Sequence, residues 1–257
     1  MTESNDQLSF WEHLDELRGR IVRILLAVLV FGVAAFCLKD WVFAVVLAPK
    51  SSNFLTYRLL ARLGVAIPDF SIDLINTELA QQFLIHVKLS LCTGALAVSP
   101  YIIYSIFGFV SPALYTSERR IALKAVGGGY LMFIVGAATA YFIIFPLTFH
   151  FLGTYQVSDS IANYITLASY TSTLLTLCLL MGIMFELPVL CWILARLGLI
   201  TSLFLKQFRR HAIVVICILA AIITPTADAF TLCVVAVPIY LLYELGIGIV
   251  RRTERGK

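Results

Sequence analysis

Six apolar runs, at roughly residues 21–47, 79–109, 121–152, 168–197, 211–224 and 230–250, follow one another with little polar sequence between them. A helix needs ~20 apolar residues to cross a hydrocarbon core ~30 Å thick, and each of the first four runs exceeds that length. Soluble domains are about 45–50% apolar and about 25% charged. This chain of 257 residues is 60% hydrophobic and 13% charged, so it cannot be wrapped into a water-facing globule. The expected fold class is an all-α polytopic membrane protein: one integral membrane domain over residues 1–257 with six transmembrane helices. The fifth run makes only about 20 Å of helix, and helices five and six are expected to be short. The bundle should therefore be uneven, a concave, glove-like shape. Pairing the fifth run with the sixth as a re-entrant hairpin is the alternative, with four full spans.

Basic residues set the orientation. With the N-terminus inside, the groups Arg18 to Arg23, Arg119 to Lys124, Arg196 to Arg210 and Arg251 to Lys257 all fall on the cytoplasmic side. Lys39, Lys50, Arg58, Arg62 and Lys88 fall on the other side or its edge. Both termini are thus expected in the cytoplasm. The acidic residues Glu3, Asp6, Glu12, Asp15 and Glu16 are wrong for a secretory or transit peptide. The net charge of +4 is a topology signal and not a nucleic-acid footprint.

Local signals mark where helices begin, bend and approach one another. Ser9 and Glu12 form a capping box, and Phe10, Leu14, Leu17, Ile21 and Leu25 continue it as an amphipathic entry to the first span. Pro49 ends that span and opens a polar far-side loop, 48–78, in which Leu55, Leu59, Leu60 and Leu63 predict a short surface helix. Asn76 or Thr77 is placed to cap the second span, with Glu78 in its first turn and a kink at Pro100. Gly127, Gly128, Gly129 and Gly136 allow close helix approach in the third, which Pro146 interrupts.

No catalytic motif is present. The four histidines are scattered, and the six cysteines stand singly in apolar stretches without a C-x-x-C pair. Neither an enzyme, a metal site nor a cofactor is expected. The carboxylates are more informative. Glu16 has a local reading as an i, i+4 partner of Arg20, and Glu118 as a first-turn carboxylate. Together they place negative charge on an otherwise basic surface, which asks for a cationic partner. Glu186 lies within an apolar span, where an ionisable group is costly and marks a functional site by default; a hydrogen bond to Thr or Ser of a neighbouring helix is the structural alternative. Asp228 is placed to cap the last helix, and Glu244 to snorkel or meet Arg251. A secondary transporter using Glu186 and Asp228 is the competing functional reading.

The segments HLDELRGR (13–20), FGFVSPALYTSERR (107–120), AYFIIFPLTFHFL (140–152), FELPV (185–189), TPTADAF (224–230) and AVPIYLLYELG (236–246) resemble the TatC family over nearly the whole chain. Two departures are a longer first far-side loop and one extra residue in TPTAD relative to a TPPD form. The resemblance implies the receptor subunit of twin-arginine protein translocation in the bacterial cytoplasmic (inner) membrane. It further implies binding of twin-arginine signal peptides of folded cargo, assembly with single-span TatA- and TatB-type partners, and export driven by the proton gradient, with homo-oligomerisation left open. On that resemblance Glu16 and Glu118 bind the arginine pair, and Phe109 and Arg18 belong to the same patch. Glu186 meets the partner helices, and Pro49 and Asp228 are far-side functional positions.

Overall fold

Where proline removes a backbone N–H inside lipid, some other donor must satisfy the stranded carbonyl, and this requirement organises much of the bundle. The computed structural model describes residues 10–64, 70, 72–110, 119–158, 163–224, 226 and 228–255. The chain opens with α1 (Phe10–Cys37) and, after a break at Leu38, α2 (Lys39–Leu47), followed by a 3-10 turn at Ala48–Lys50. Ser9 of the expected capping box lies outside the described residues. The predicted surface helix is α3 (Leu55–Arg62), and α4 (Gln81–Val110) runs 30 residues. The third span is α5 (Arg119–Thr139), a π-helical segment at Ala140–Ile144 and α6 (Phe145–Thr154). The fourth is α7 (Leu167–Met184) and α8 (Leu187–Arg196); a short α9 (Ser202–Gln207) then leads into α10 (Arg209–Ile223) and α11 (Ala229–Arg255).

Among the described residues, five helical stretches are long and apolar enough to cross a membrane, and α10, at 15 residues, is the short member as expected. The last helix differs from expectation. It is 27 residues long and continues past its apolar run through Arg251 to Arg255. The reason is an anchor: Glu254 accepts the Ser202 N–H at 2.8 Å and the Ser202 hydroxyl at 2.5 Å, which satisfies an orphan donor at the start of α9 and ties the two helices together.

Three prolines show the same solution. Pro100 gives no N–H to the Leu96 carbonyl, which instead accepts the Ser99 hydroxyl at 2.6 Å, and α4 runs on as helix through Pro100. Pro49 gives none to Val45, whose carbonyl accepts the Ala48 N–H instead and the Tyr141 hydroxyl as well at 2.7 Å. Pro146 gives none to Phe142, whose carbonyl accepts the Thr56 hydroxyl, and the turn ahead of it widens into the π segment. Thr56→Val is expected to cost about 1–3 kcal/mol, the penalty for an unsatisfied buried carbonyl. The cost should shrink in a Pro146→Ala background, where a backbone donor returns; a double-mutant cycle on thermal unfolding checks this.

The helices pack chiefly in the pairs α1 with α4, α5 with α7 and α8 with α11. A Cβ on Gly94 would lie 2.6 Å from the Gly32 nitrogen and 2.8 Å from the Val28 carbonyl oxygen, so α1 and α4 meet backbone to backbone. Gly136 does the same for α5 against the Met181 carbonyl at 2.6 Å. Gly127 and Gly128, expected to serve the same purpose, face open space. The buried centre comprises Ala140 and Ile144, Leu177 and Met181 of α7, and Val235 and Ile239 of α11. At one end Leu74–Ile75 pairs in parallel with Ile165–Thr166, joining the segment ahead of α4 to the one ahead of α7. The second span begins at Gln81, so Asn76, Thr77 and Glu78 precede it without capping as predicted; the Gln81 side-chain oxygen accepts the Thr77 N–H at 3.4 Å.

Candidate functional site

The end of the bundle that carries the N-terminal part of α1 is organised by Arg20. Its Nη2 and Nε donate to Glu16 Oε1 at 2.6 and 3.1 Å, one helical turn earlier. Its Nη1 donates to the Ser105 carbonyl at 2.8 Å and its Nη2 to the Gly108 carbonyl at 3.3 Å. Gly108 lies in the last turn of α4, where acceptors run short of backbone donors and the helix dipole favours a cation, and Ser105 lies one turn earlier. Gly108 leaves the necessary space, since a Cβ there would stand 2.7 Å from Arg20 Nη1. The local reading of Glu16 and Arg20 as an ion pair therefore holds, and the same guanidinium also clamps α1 to α4.

Both Arg20 contacts fall on Oε1, so among the described residues the half-exposed Glu16 has Oε2 without a donor. Arg18 is exposed on the same stretch of α1. Phe109 follows Gly108 in the last turn of α4 and is described by its backbone alone; Glu118 lies outside the described residues. The structure thus brings Glu16, through Arg20, to the α4 turn whose backbone includes Phe109, while Arg18, two residues further along α1, lies on a different face of that helix. What sequence reading missed was Arg20 as the clamp, because Ser105 and Gly108 are more than eighty residues away and offer only main-chain oxygens.

Glu186 sits in the break between α7 and α8, two residues before Pro188. Both of its carboxylate oxygens are buried without a hydrogen-bond partner among the described residues. The anticipated bond to a neighbouring Thr or Ser is not made, which leaves an unpartnered acid at the helix break. Gly246 of α11 packs on Cys191 of α8, and these two helices run in the same direction. Counting back at 1.5 Å per residue puts Glu186 and Asp228 roughly 20 Å apart along the bundle. They do not form one ion site.

Asp228 caps α11 as predicted, its Oδ1 accepting the Thr231 N–H at 2.7 Å. Burial pushes its carboxyl pKa up, but hydrogen bonding, led by this N–H, outweighs burial and leaves it below the usual carboxylate range. Pro49 is buried at the same end, its carbonyl 3.4 Å from the Tyr57 hydroxyl, which also donates to Pro146 at 2.9 Å. Tyr170 connects the two positions: its hydroxyl donates to Val46 at 2.9 Å, and its ring lines a pocket of about 160 Å³ together with Thr226. Glu244 differs from expectation, pairing with Arg209 at 2.7 Å and not with Arg251. The start of α10 packs beside α11 and brings the closer cation.

The family model of the Sec-independent protein translocase protein (TatC) matches residues 12–238. The chain belongs to the TatC family. Among the family's proteins, that of Desulforapulum autotrophicum is 36% identical, covering 96% of this chain and 86% of its own length. That of Aquifex aeolicus is 33% identical, covering 96% of both chains. A crystal structure of the twin-arginine translocase receptor TatC superposes with a TM-score of 0.76 at 33% identity, covering 95% of this chain and 100% of that one. Membership makes this a multi-pass membrane protein of a protein-translocase family, a transport component and not an enzyme. In TatC terms, the Arg20 clamp lies within SFWEHLDELRGR (9–20), and the carbonyls it holds lie in the helix that ends at SPALY.

Proposed function

We propose that this chain is the receptor and core subunit of twin-arginine translocation, reading consecutive arginines in the signal peptides of folded cargo. One observation carries the reading: Glu16 is held in place through a single oxygen by the Arg20 clamp, with no donor to the other oxygen among the described residues. A guanidinium fork matches a fixed carboxylate in a way that a lysine ammonium cannot. Glu118, joined to the same helix end by the segment after Val110, supplies the second carboxylate, and Arg18 and Phe109 border the patch. The basic end then faces the cytoplasm, with both termini on the cytoplasmic side of the bacterial inner membrane, and the six helices span approximately the six apolar runs. Pro49 and Asp228 lie on the far side. Buried without a partner, Glu186 offers its carboxyl group to a polar side chain on TatA- or TatB-type single-span helices, which assemble with this subunit for proton-gradient-driven export.

The test is a binding comparison with the purified protein. A twin-arginine signal peptide is expected to bind at least tenfold more tightly than its twin-lysine counterpart, a gap of about 1.4 kcal/mol. Glu16→Ala and Glu118→Ala should each erase most of that preference, whereas Glu186→Gln should leave it intact and reduce co-purification of the single-span partners. Equal binding of the two peptides by the unaltered protein overturns the receptor reading. The transporter alternative is not favoured, because Glu186 and Asp228 lie apart.

A further inference from the structure

The structure assigns a second ligand to this chain: an anionic phospholipid, seated along α11 with its headgroup at the basic end of the bundle. The argument begins with charge. Lys206, Arg209, Arg210, Arg251, Arg252 and Arg255 are all exposed where α9, the start of α10 and the end of α11 converge. Tyr243 fixes that convergence by donating to the Leu205 carbonyl at 2.6 Å. Two acids share the region, and both are already engaged. Glu244 holds Arg209 at 2.7 Å and the Tyr240 hydroxyl at 3.2 Å, while Glu254 holds Ser202. Arg252 has no ion-pair or hydrogen-bond partner among the described residues, and its side chain is free to take an anion.

Shape supplies the second argument. Arg252 borders a groove of about 510 Å³ that continues along one face of α11 past Ile249, Gly248, Leu245 and Leu241, with Glu244, its charge met by Arg209, on the wall. Gly248 is a notch, since a Cβ built there meets nothing within 4 Å. Leu241 also lines a second groove, about 300 Å³, between α11 and the Ile213, Ile216 and Cys217 face of α10. From Arg252 to Val237 the combined path follows α11 for roughly 22 Å. That matches one leaflet's ~15 Å of hydrocarbon with room for a headgroup above it. A cation at the mouth of a mostly apolar trough of that length fits a phosphate joined to acyl chains, and basic clusters at the headgroup level attract such anionic lipids.

The experiment uses the full chain purified in detergent and titrated with phosphatidylglycerol or with phosphatidylcholine of the same acyl chains, read by native mass spectrometry and thermal unfolding. Phosphatidylglycerol is expected to be retained at several-fold higher occupancy and to raise the melting temperature by about 5 °C more than phosphatidylcholine. Arg252→Gln should remove most of that difference and Arg252→Lys should keep it. Gly248→Leu, which fills the notch without changing charge, should lower occupancy as well. Equal retention of the two lipids overturns the assignment. So does an equal loss on Arg62→Gln at the opposite end, or a full thermal shift from glycerol phosphate alone, which would mark a simple anion site.

Discussion

Gly94→Ala is expected to be among the most destabilising single-methyl changes available in this protein, costing about 3 kcal/mol, the upper part of the range for overpacking. The added carbon would lie 2.6 Å from the Gly32 nitrogen, 2.8 Å from the Gly32 Cα and 2.8 Å from the Val28 carbonyl oxygen. All three are backbone atoms, so no rotamer change can make room; α1 and α4 must separate along the most extensive helix pair in the molecule. In lipid there is little hydrophobic drive to restore the contact, because association rests on close packing. Gly127→Ala is the matched control: a Cβ there meets nothing within 4 Å, and the change should be neutral or stabilise the helix by up to about 1 kcal/mol. Thermal unfolding of the two variants in one detergent decides the matter, and equal melting temperatures would refute the backbone contact.

Arg20→Gln is expected to lower both stability and ligand preference. The substitution removes charge-assisted bonds to Glu16 and to the Ser105 and Gly108 carbonyls, part-buried contacts that join α1 to the end of α4. Hydrogen bonds to charged groups contribute about 1.5–3 kcal/mol each before losses to solvent are counted. Because Arg20 is about a quarter exposed at 23%, a total of about 2 kcal/mol is the reasonable expectation, discounted for screening. The functional effect separates clamp from scaffold. If Glu16 is placed by Arg20, the variant should lose most of the tenfold preference for a twin-arginine peptide, and Arg20→Lys, a point charge without a planar fork, should recover little of it. Full preference in a stably folded Arg20→Gln protein would show that Glu16 needs no clamp.

Both effects turn on contacts of a kind that the sequence does not display. Apolar runs announce helices because their length and hydropathy are local properties, and α3, α4, α7 and the short α10 lie where the patterns put them. Asp228 was likewise legible as a cap, since it and Thr231 are three residues apart. Glycines were legible only as possibilities: Gly127, Gly128 and Gly136 share one run, yet only Gly136 of these three meets a neighbouring backbone closely. A neighbour's position cannot be read from a single helix. The length of α11 was misjudged for the same reason, because Glu254 extends the helix by reaching Ser202, fifty-two residues earlier in the chain.

For the candidate site the division is sharper. Glu16 and Arg20 could be paired from their four-residue spacing, whereas the Ser105 carbonyl that completes the clamp is 85 residues away. In the same way, Pro49 and Pro146 are visible helix breakers, but Tyr141 and Thr56, which accommodate them, act across 96 and 86 residues. By itself the sequence determined that this chain lives in a membrane, roughly where its long apolar helices lie, and which few carboxylates merit attention. Hydrophobicity and charge act over a handful of residues and leave a local record. The tertiary structure alone decided which hydroxyl meets which stranded carbonyl, which glycine is indispensable, and that Glu16 is fixed while Glu186 is left unpartnered. Those outcomes depend on helices joined by long stretches of chain, whose contacts exist only once the bundle is assembled.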